Sequence, residues 1–235
     1  MMNISDIFND ALGYPFKNTR ALLIYIVLSI VMSITLSLAI VGIMMTKSNS
    51  IVGLVVAIVG IIISILIAFL INGYVLDIVK LSIRRENRTP EFDAGRQISN
   101  GIKLLIVNIV YYIVPAILTF LFSLIFRNWI VLIIALILFI IFTLAATMAQ
   151  CRLAQTDDLG YALSISDAIA DISRVGFVKI FTTILCIFVA LVIIINIIYV
   201  IFGTASLLSN IIISIFSIYA VFVFNRAIGL LYSDA

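Results

Sequence analysis

The chain has 235 residues, of which 65% are hydrophobic and 11% charged, with no histidine and a formal net charge of +3. A soluble domain of this length could not bury so much apolar surface, so the composition indicates a membrane protein. With no histidine and two cysteines far apart in the sequence, the chain offers no zinc or iron–sulfur site, and we expect no cofactor.

Six apolar runs are long enough to cross a membrane, because a helix needs about 20 residues to span a hydrocarbon core of roughly 30 Å. None has the alternation of apolar and polar residues, over about 10 positions, that is typical of transmembrane β-strands. We therefore predict an all-α fold, a polytopic membrane helical bundle that forms a single integral membrane domain over residues 1–235. The runs cover approximately 21–45, 51–75, 103–126, 129–151, 178–203 and 207–230.

Amphipathic surface helices are predicted ahead of the first and fifth runs. The phrase ISDIFND at residues 4–10 returns as ISDAIAD at residues 165–171. In both copies apolar residues recur with the i, i+3, i+4 spacing of one helical face. The carboxylates on the other face are expected to be solvated rather than to share a divalent cation. They are Asp6, Asp10, Asp167 and Asp171.

A third surface helix is predicted between the second and third runs. Thr89 followed by Pro90 is a favourable helix start, and apolar residues recur from Ala94 to Lys103. We therefore predict three copies of one unit, in which a cytoplasmic amphipathic helix precedes a helical hairpin of two spans. The pseudo-repeats cover about 3–82, 89–156 and 160–232.

Charge is distributed unevenly between the two sides of the predicted spans. All 11 acidic residues and all but two of the 14 basic residues lie on one side, and only Lys47 and Arg127 lie on the other. Lysine and arginine are retained on the cytoplasmic side of short loops. We therefore predict a multi-pass protein of the plasma membrane with cytoplasmic N- and C-termini. The net charge reports this topology and does not indicate nucleic-acid binding.

Polar residues mark the cytoplasmic ends of the second, fourth and sixth runs, which is where a function within the membrane would show. They are expected to form hydrogen bonds between helices or, as the alternative, a polar pocket that opens to the cytoplasm. Asp77 should lie in the headgroup zone, and Arg226 should extend towards water. The candidate set is Asn72, Asp77, Gln150, Arg152, Asn225 and Arg226.

A basic cluster follows the second run and consists of Arg84, Arg85 and Arg88. Basic residues next to a helix end attract anionic lipid headgroups by about 1 kcal/mol each. The cluster is therefore a candidate headgroup-binding site, although the same charges would also serve topology alone.

Several short motifs resemble one protein family. The matching stretches are GY at 73–74, PEFD at 90–93, NGIK at 100–103 and GYPFKN at 13–18. Together they resemble a prokaryotic family of multi-pass membrane proteins, frequent in archaea, that is filed as domain of unknown function 4013. The likeness covers nearly the whole chain. The family has no assigned activity, so the resemblance implies no functional residues.

The sequence contains no recognisable catalytic set. With no histidine and no acidic residue well inside a span, it lacks a nucleophile with a base and buried paired carboxylates, so we predict no enzymatic activity. Two functions stay open. One is a non-catalytic membrane component or scaffold, and the other is a transporter or lipid-handling protein, because repeats of the same orientation are one transporter plan. The expected partners are the lipid bilayer, anionic headgroups, and a membrane protein or a second copy of this chain.

Overall fold

The structure is a computed structural model that describes residues 2–47, 50–126, 128–203 and 207–234. Within these residues every regular element is an α-helix. The predicted external residue Arg127 lies outside the described residues. The helices are α1 (Ile4–Lys17), α2 (Thr19–Thr46), α3 (Ile51–Ile83), α4 (Ala94–Ser123), α5 (Asn128–Thr156), α6 (Leu159–Ala162), α7 (Ile165–Val175), α8 (Phe177–Phe202) and α9 (Leu207–Tyr232).

Six of the described helices are long and apolar enough to cross a membrane, which confirms the six predicted spans. They are α2, α3, α4, α5, α8 and α9. With 33 residues, α3 is about 50 Å long at a rise of 1.5 Å per residue. The helix is therefore longer than a hydrocarbon core of roughly 30 Å. Its last turns are covered by protein, since residues 73–79 are all buried.

Both ends of the described chain meet at one end of the bundle. The Met2 amide donates to the Asp234 carboxylate over 2.9 Å, and Lys179 and Arg85 pair with the same carboxylate at 2.6 and 2.7 Å. Burial alone would raise the pKa of Asp234, but hydrogen bonds from Lys179 and the Met2 amide, with the lysine charge, lower that pKa below its ordinary value. We call this end, with α1, α6, α7 and residues 84–93, the charged end. The helices α3, α5 and α9, which finish there, are called the return helices.

The core of the described chain lies at the charged end. Residues 144–149 of α5 and 225–232 of α9 are continuously buried, and α1 contributes Ile7 and Ala11 at 0% exposure. Towards the opposite end the same long helices expose large apolar side chains such as Leu132. Apolar side chains turned outwards in this way are expected where the surrounding solvent is lipid.

Two glycines allow α3 and α4 to cross in close contact. A Cβ atom added to Gly73 would overlap the backbone of Gln97, and one added to Gly101 would overlap the backbone of Phe69. Small residues let membrane helices approach each other closely in this manner. The crossing places the start of α4 against the last turns of α3, where Asp77 lies.

The third predicted surface helix differs from the prediction. The helix begins at Ala94, not at Thr89, and continues without a break into the membrane-spanning part of α4. The Asp93 carboxylate caps it by accepting a hydrogen bond from a first-turn amide at 3.1 Å. Thr89 forms no cap, because its hydroxyl instead donates to the side chain of Asn18. Residues 84–93, which we call the strap, therefore connect α3 to α4 without helix.

We expect Gly73→Ala and Gly101→Ala to destabilise the fold by about 1–3 kcal/mol or more each, because the added methyl groups would meet main-chain atoms that cannot move aside. The control is Gly13→Ala, where nothing lies within 4 Å of the added methyl group and alanine favours the helix by about 0.5–1 kcal/mol. Titration of detergent-solubilised protein with a denaturing detergent measures the difference. Equal stability of all three variants would contradict the close crossing.

Candidate functional site

Arg226 is 1% exposed and connects α9 to α1 and to the strap. Its Nε donates to the Asp10 carboxylate over 2.7 Å, and its Nη2 lies 2.7 Å from the same carboxylate. Nη1 donates to the backbone carbonyl of Glu86 and Nη2 to the side-chain oxygen of Asn87, both over 2.6 Å. The guanidinium therefore does not extend into water as predicted, because the protein supplies its partners internally.

Tyr14 covers the same guanidinium from α1. The Arg226 Cζ atom lies 4.9 Å from the centre of the Tyr14 ring, a cation–π arrangement. Burial raises the pKa of Tyr14 to about 12, against the opposing effect of the Arg226 charge and with a smaller raising effect of Asp10. The phenol therefore stays neutral at physiological pH and adds no second negative charge beside Asp10.

Arg152 is also 1% exposed and connects α5 to α6 and α7. Its Nη1 donates to Asp171 over 2.9 Å and its Nη2 to Asp167 over 3.2 Å. Nε donates to the backbone carbonyl of Tyr161 over 3.1 Å, and the Tyr161 ring centre lies 3.6 Å from the guanidinium carbon. As at Arg226, all three guanidinium nitrogens have partners within the protein.

Asp77 occupies the corresponding level of α3 with the opposite charge. It is 4% exposed, and it accepts hydrogen bonds from Arg96 over 3.0 Å and from Gln97 over 3.4 Å, both on α4. Gln97 accepts in turn from the Tyr25 hydroxyl of α2 over 3.1 Å. Asp77 was expected to lie among headgroups at little cost. Instead the close α3–α4 crossing buries it and supplies its cation.

The structure brings together only part of the candidate polar set. The Gln150 amide donates to the side-chain oxygen of Asn225 over 2.8 Å and joins α5 to α9. Asn72 is exposed, and its amide donates over 2.8 Å to the backbone carbonyl of Ala68 in its own helix. The other three members belong to the separate networks described above. The six residues are thus divided among different contacts rather than gathered into one ring.

In each copy of the repeated phrase the last carboxylate does not lie on a solvated face, so the prediction was wrong for these two aspartates. The Asp171 side chain is 2% exposed and that of Asp10 is 22% exposed. Each faces an arginine of a return helix, whose charge and hydrogen bonds offset the loss of hydration. Sequence reasoning missed this role. The available signal was that both copies of the phrase end in aspartate while Arg152 and Arg226 lie at matching helix ends.

The three arginines of the basic cluster are separated in the structure. Arg85 pairs with the carboxylate near the C-terminus, and Arg88 pairs with Glu86 at 2.5 Å while its side chain is 65% exposed. Among the described residues, no acidic group pairs with Arg84 or with Lys80, one turn earlier. Lys80, Arg84 and Arg88 line a cavity of about 600 Å³ between the strap and the last turns of α3. We call it the basic cavity.

An apolar cavity of about 390 Å³ lies on the other side of the strap. Ala21 and Ile24 of α2 and Tyr74 of α3 line it, and strap residues 89–92 line both cavities. The Tyr74 hydroxyl is buried, and within the described chain it has no hydrogen-bond partner. Polar and apolar space therefore adjoin at this corner of the charged end.

The chemistry that these networks support is electrostatic. In the part of the chain that the structure describes, no three acidic or cysteine side chains group closely enough to ligate a metal ion. Cys151 is buried, Cys186 is exposed, and both are free thiols. The buried guanidinium and carboxylate groups bind one another and hold the surface segments against the return helices.

Arg152 and Arg174 provide a matched test, because both pair with Asp171 but only the first is buried, with side chains 2% and 66% exposed. We expect Arg152→Gln to destabilise the protein by about 3–5 kcal/mol, since it leaves a buried carboxylate without its main partner. Arg174→Gln should cost about 0.2–1 kcal/mol. Unfolding in denaturing detergent distinguishes them, and similar losses for both variants would show that burial of the pair contributes little.

Comparison with known protein families matches residues 56–203, more than half of the chain, to the family described as protein of unknown function (DUF4013). No curated protein and no solved structure matches the chain. The matched region includes the α3–α4 crossing, the strap and the Arg152 network, and it confirms the resemblance seen in the strap motifs. The chain therefore belongs to the DUF4013 family.

Proposed function

We propose that the protein is a non-catalytic membrane component that holds a partner at its charged end. The observation that carries the proposal is that Arg152 and Arg226 direct their donors at carboxylates and carbonyls of the protein itself. A solute that used these groups would have to break buried ion pairs, at a cost of several kcal/mol each. This arrangement favours a rigid structural role over a transport pocket at the ends of the return helices.

Three repeated units, each built around a helical hairpin, would place matching helix contacts around the charged end. The helix contacts are cyclic, because α1 packs on α9, the start of α4 on α3, and α7 on α5. Each surface segment would then be held by the return helix of a neighbouring unit. The ion pairs that accompany the three contacts are Asp10–Arg226, Arg96–Asp77 and Asp171–Arg152.

We infer that the charged end faces the cytoplasm from the plasma membrane. Within the described residues, all acidic groups and all basic groups except Lys47 belong to that end or its connecting segments, and lysine and arginine are retained in the cytoplasm during insertion. Lys47, at the opposite end of α2, would then be external. The helices α1 and α7, whose buried residues face the return helices, would lie at the cytoplasmic surface of the bundle.

Thiol labelling in intact cells tests this orientation. In a background carrying Cys151→Ala and Cys186→Ala, Lys47→Cys and Ser166→Cys place single thiols at exposed positions at opposite ends of the bundle. A membrane-impermeant maleimide should label Lys47→Cys in intact cells and Ser166→Cys only after permeabilisation. The reverse pattern would invert the proposed topology.

The partner role is tested on the exposed face of α7. Ile169 and Ser173 point away from the bundle, whereas α1 cannot be deleted because Ile7 and Ala11 belong to the core. We expect a partner, or a second copy of the chain, to co-purify in stoichiometric amount with wild type. Ile169→Glu with Ser173→Glu should lower this recovery about tenfold, and the matched control Lys47→Glu at the opposite end should preserve it.

A transporter or lipid-handling protein is the second candidate, and the basic cavity with its unpaired Lys80 and Arg84 is the observation that favours it. The scaffold proposal expects vesicles that contain the purified protein to show no more solute flux or lipid scrambling than protein-free vesicles. Flux that Lys80→Gln with Arg84→Gln abolishes, and that Arg174→Gln preserves, would overturn the scaffold proposal.

A further inference from the structure

We propose that the basic cavity binds the phosphate group of a lipid headgroup. The cavity, of about 600 Å³, lies between the strap and the last turns of α3, beyond the apolar part of that helix. Lys80 and Arg84 lie one helical turn apart and both line it. Two cations on the same helical face, both lining one cavity, suit the two unesterified oxygens of a lipid phosphodiester.

Other charged groups around the cavity are already paired. Arg96 contacts Asp77 at 3.0 Å and lies 3.9 Å from Asp93. Arg88 pairs with Glu86 at 2.5 Å. Arg96 is thus shared by two carboxylates, and Arg88 has one partner on the strap. Lys80 and Arg84, on the α3 side of the cavity, form no ion pair with the described residues.

The groups without an ion pair indicate the sign of the ligand's charge. Lys80 and Arg84 form no ion pair among the described residues, and they lie together on one side of the cavity. The acidic groups of the lining lie on the strap and the last turns of α3, and two of them, Asp77 and Asp93, share Arg96. The pair of cations on the α3 side is therefore where an anionic group would bind.

The apolar cavity favours a lipid as the source of the phosphate. It shares strap residues 89–92 with the basic cavity, and its lining is mainly apolar, with Ala21, Ile24 and Tyr74 beside the charged Arg20. An amphiphile could place its phosphate against Lys80 and Arg84 and its glycerol and upper acyl carbons across the strap. The buried Tyr74 hydroxyl, which lacks a partner within the described chain, offers a donor beside this second space.

The site differs from the basic cluster that the sequence indicated. Arg85 is not part of the lining, because it pairs with Asp234 at 2.7 Å, while Lys80 and Arg84 take the leading role. The proposal does not rest on the scaffold role. A headgroup site would position a scaffold in the bilayer as readily as it would serve a lipid-handling protein.

Binding of dioleoylphosphatidylglycerol to the full-length, detergent-solubilised protein tests the site, with native mass spectrometry or thermophoresis as the readout. We expect Lys80→Gln with Arg84→Gln to weaken binding about 30-fold, which corresponds to about 2 kcal/mol at about 1 kcal/mol per basic residue. Arg174→Gln is the matched control, because it removes one exposed charge outside the cavity at the same end. Both targeted residues are surface groups without ion-pair partners, so the double variant should stay folded.

Competing ligands distinguish a lipid from a free phosphate. Dioleoylglycerol, which has the same chains and no phosphate, should not compete, and a lipid site predicts little competition from inorganic phosphate or glycerophosphoglycerol. Full competition by either soluble phosphate would keep the phosphate site but assign it a soluble ligand. Unchanged lipid binding by the double variant, or an equal loss in Arg174→Gln, would overturn the proposal.

Discussion

A buried guanidinium requires an acidic partner, and this requirement arranges the charged end of the molecule. Moving a charged group out of water costs several kcal/mol unless an opposite charge and hydrogen bonds offset the loss. Arg152 and Arg226 are both 1% exposed, and each meets the requirement with an aspartate from a short helix outside the spans. The ion pair therefore fixes the height and rotation of α7 and α1, which their apolar faces alone would specify less strictly.

The apolar core also lies at the charged end, and the difference between lipid and water as solvents explains why. Between helices in lipid there is no hydrophobic driving force, because lipid tails are as apolar as the side chains they contact. Beyond the hydrocarbon, water is present and burial of apolar surface becomes favourable. Ile7 and Ala11 of α1, a helix outside the six spans, are buried at the charged end, while the opposite ends of the spans expose their side chains. Ion pairs and apolar burial thus stabilise the same region.

The sequence predicted the spans well and the contacts between them poorly, and both outcomes have a physical cause. Backbone amides in hydrocarbon must bond within their own helix, so the length of each apolar run is direct evidence of a span. The start of α4 was mispredicted because Thr89 and Asp93 both satisfy the local rules for a helix cap, and the contact of Thr89 with Asn18 excludes the first. Hydropathy gives the depth of a residue but not the direction it faces. Nothing local therefore indicated that Arg226 would meet Asp10, 216 positions away in the sequence.

At the contact between α3 and α4, the acidic and basic residues are exchanged between the two helices, compared with the contacts α1–α9 and α7–α5. At α1–α9 and α7–α5 the acid lies on the surface helix and the arginine on the return helix, whereas Asp77 lies on the return helix and Arg96 on α4. An ion pair requires opposite charges but does not specify which helix carries which. The reversal nevertheless has a consequence for the cations of the return helices. In α5 and α9 the arginine at this level is buried and paired. In α3 the acid takes that place. The cations Lys80, one turn later, and Arg84, just after the helix, line a cavity instead of joining a helix contact.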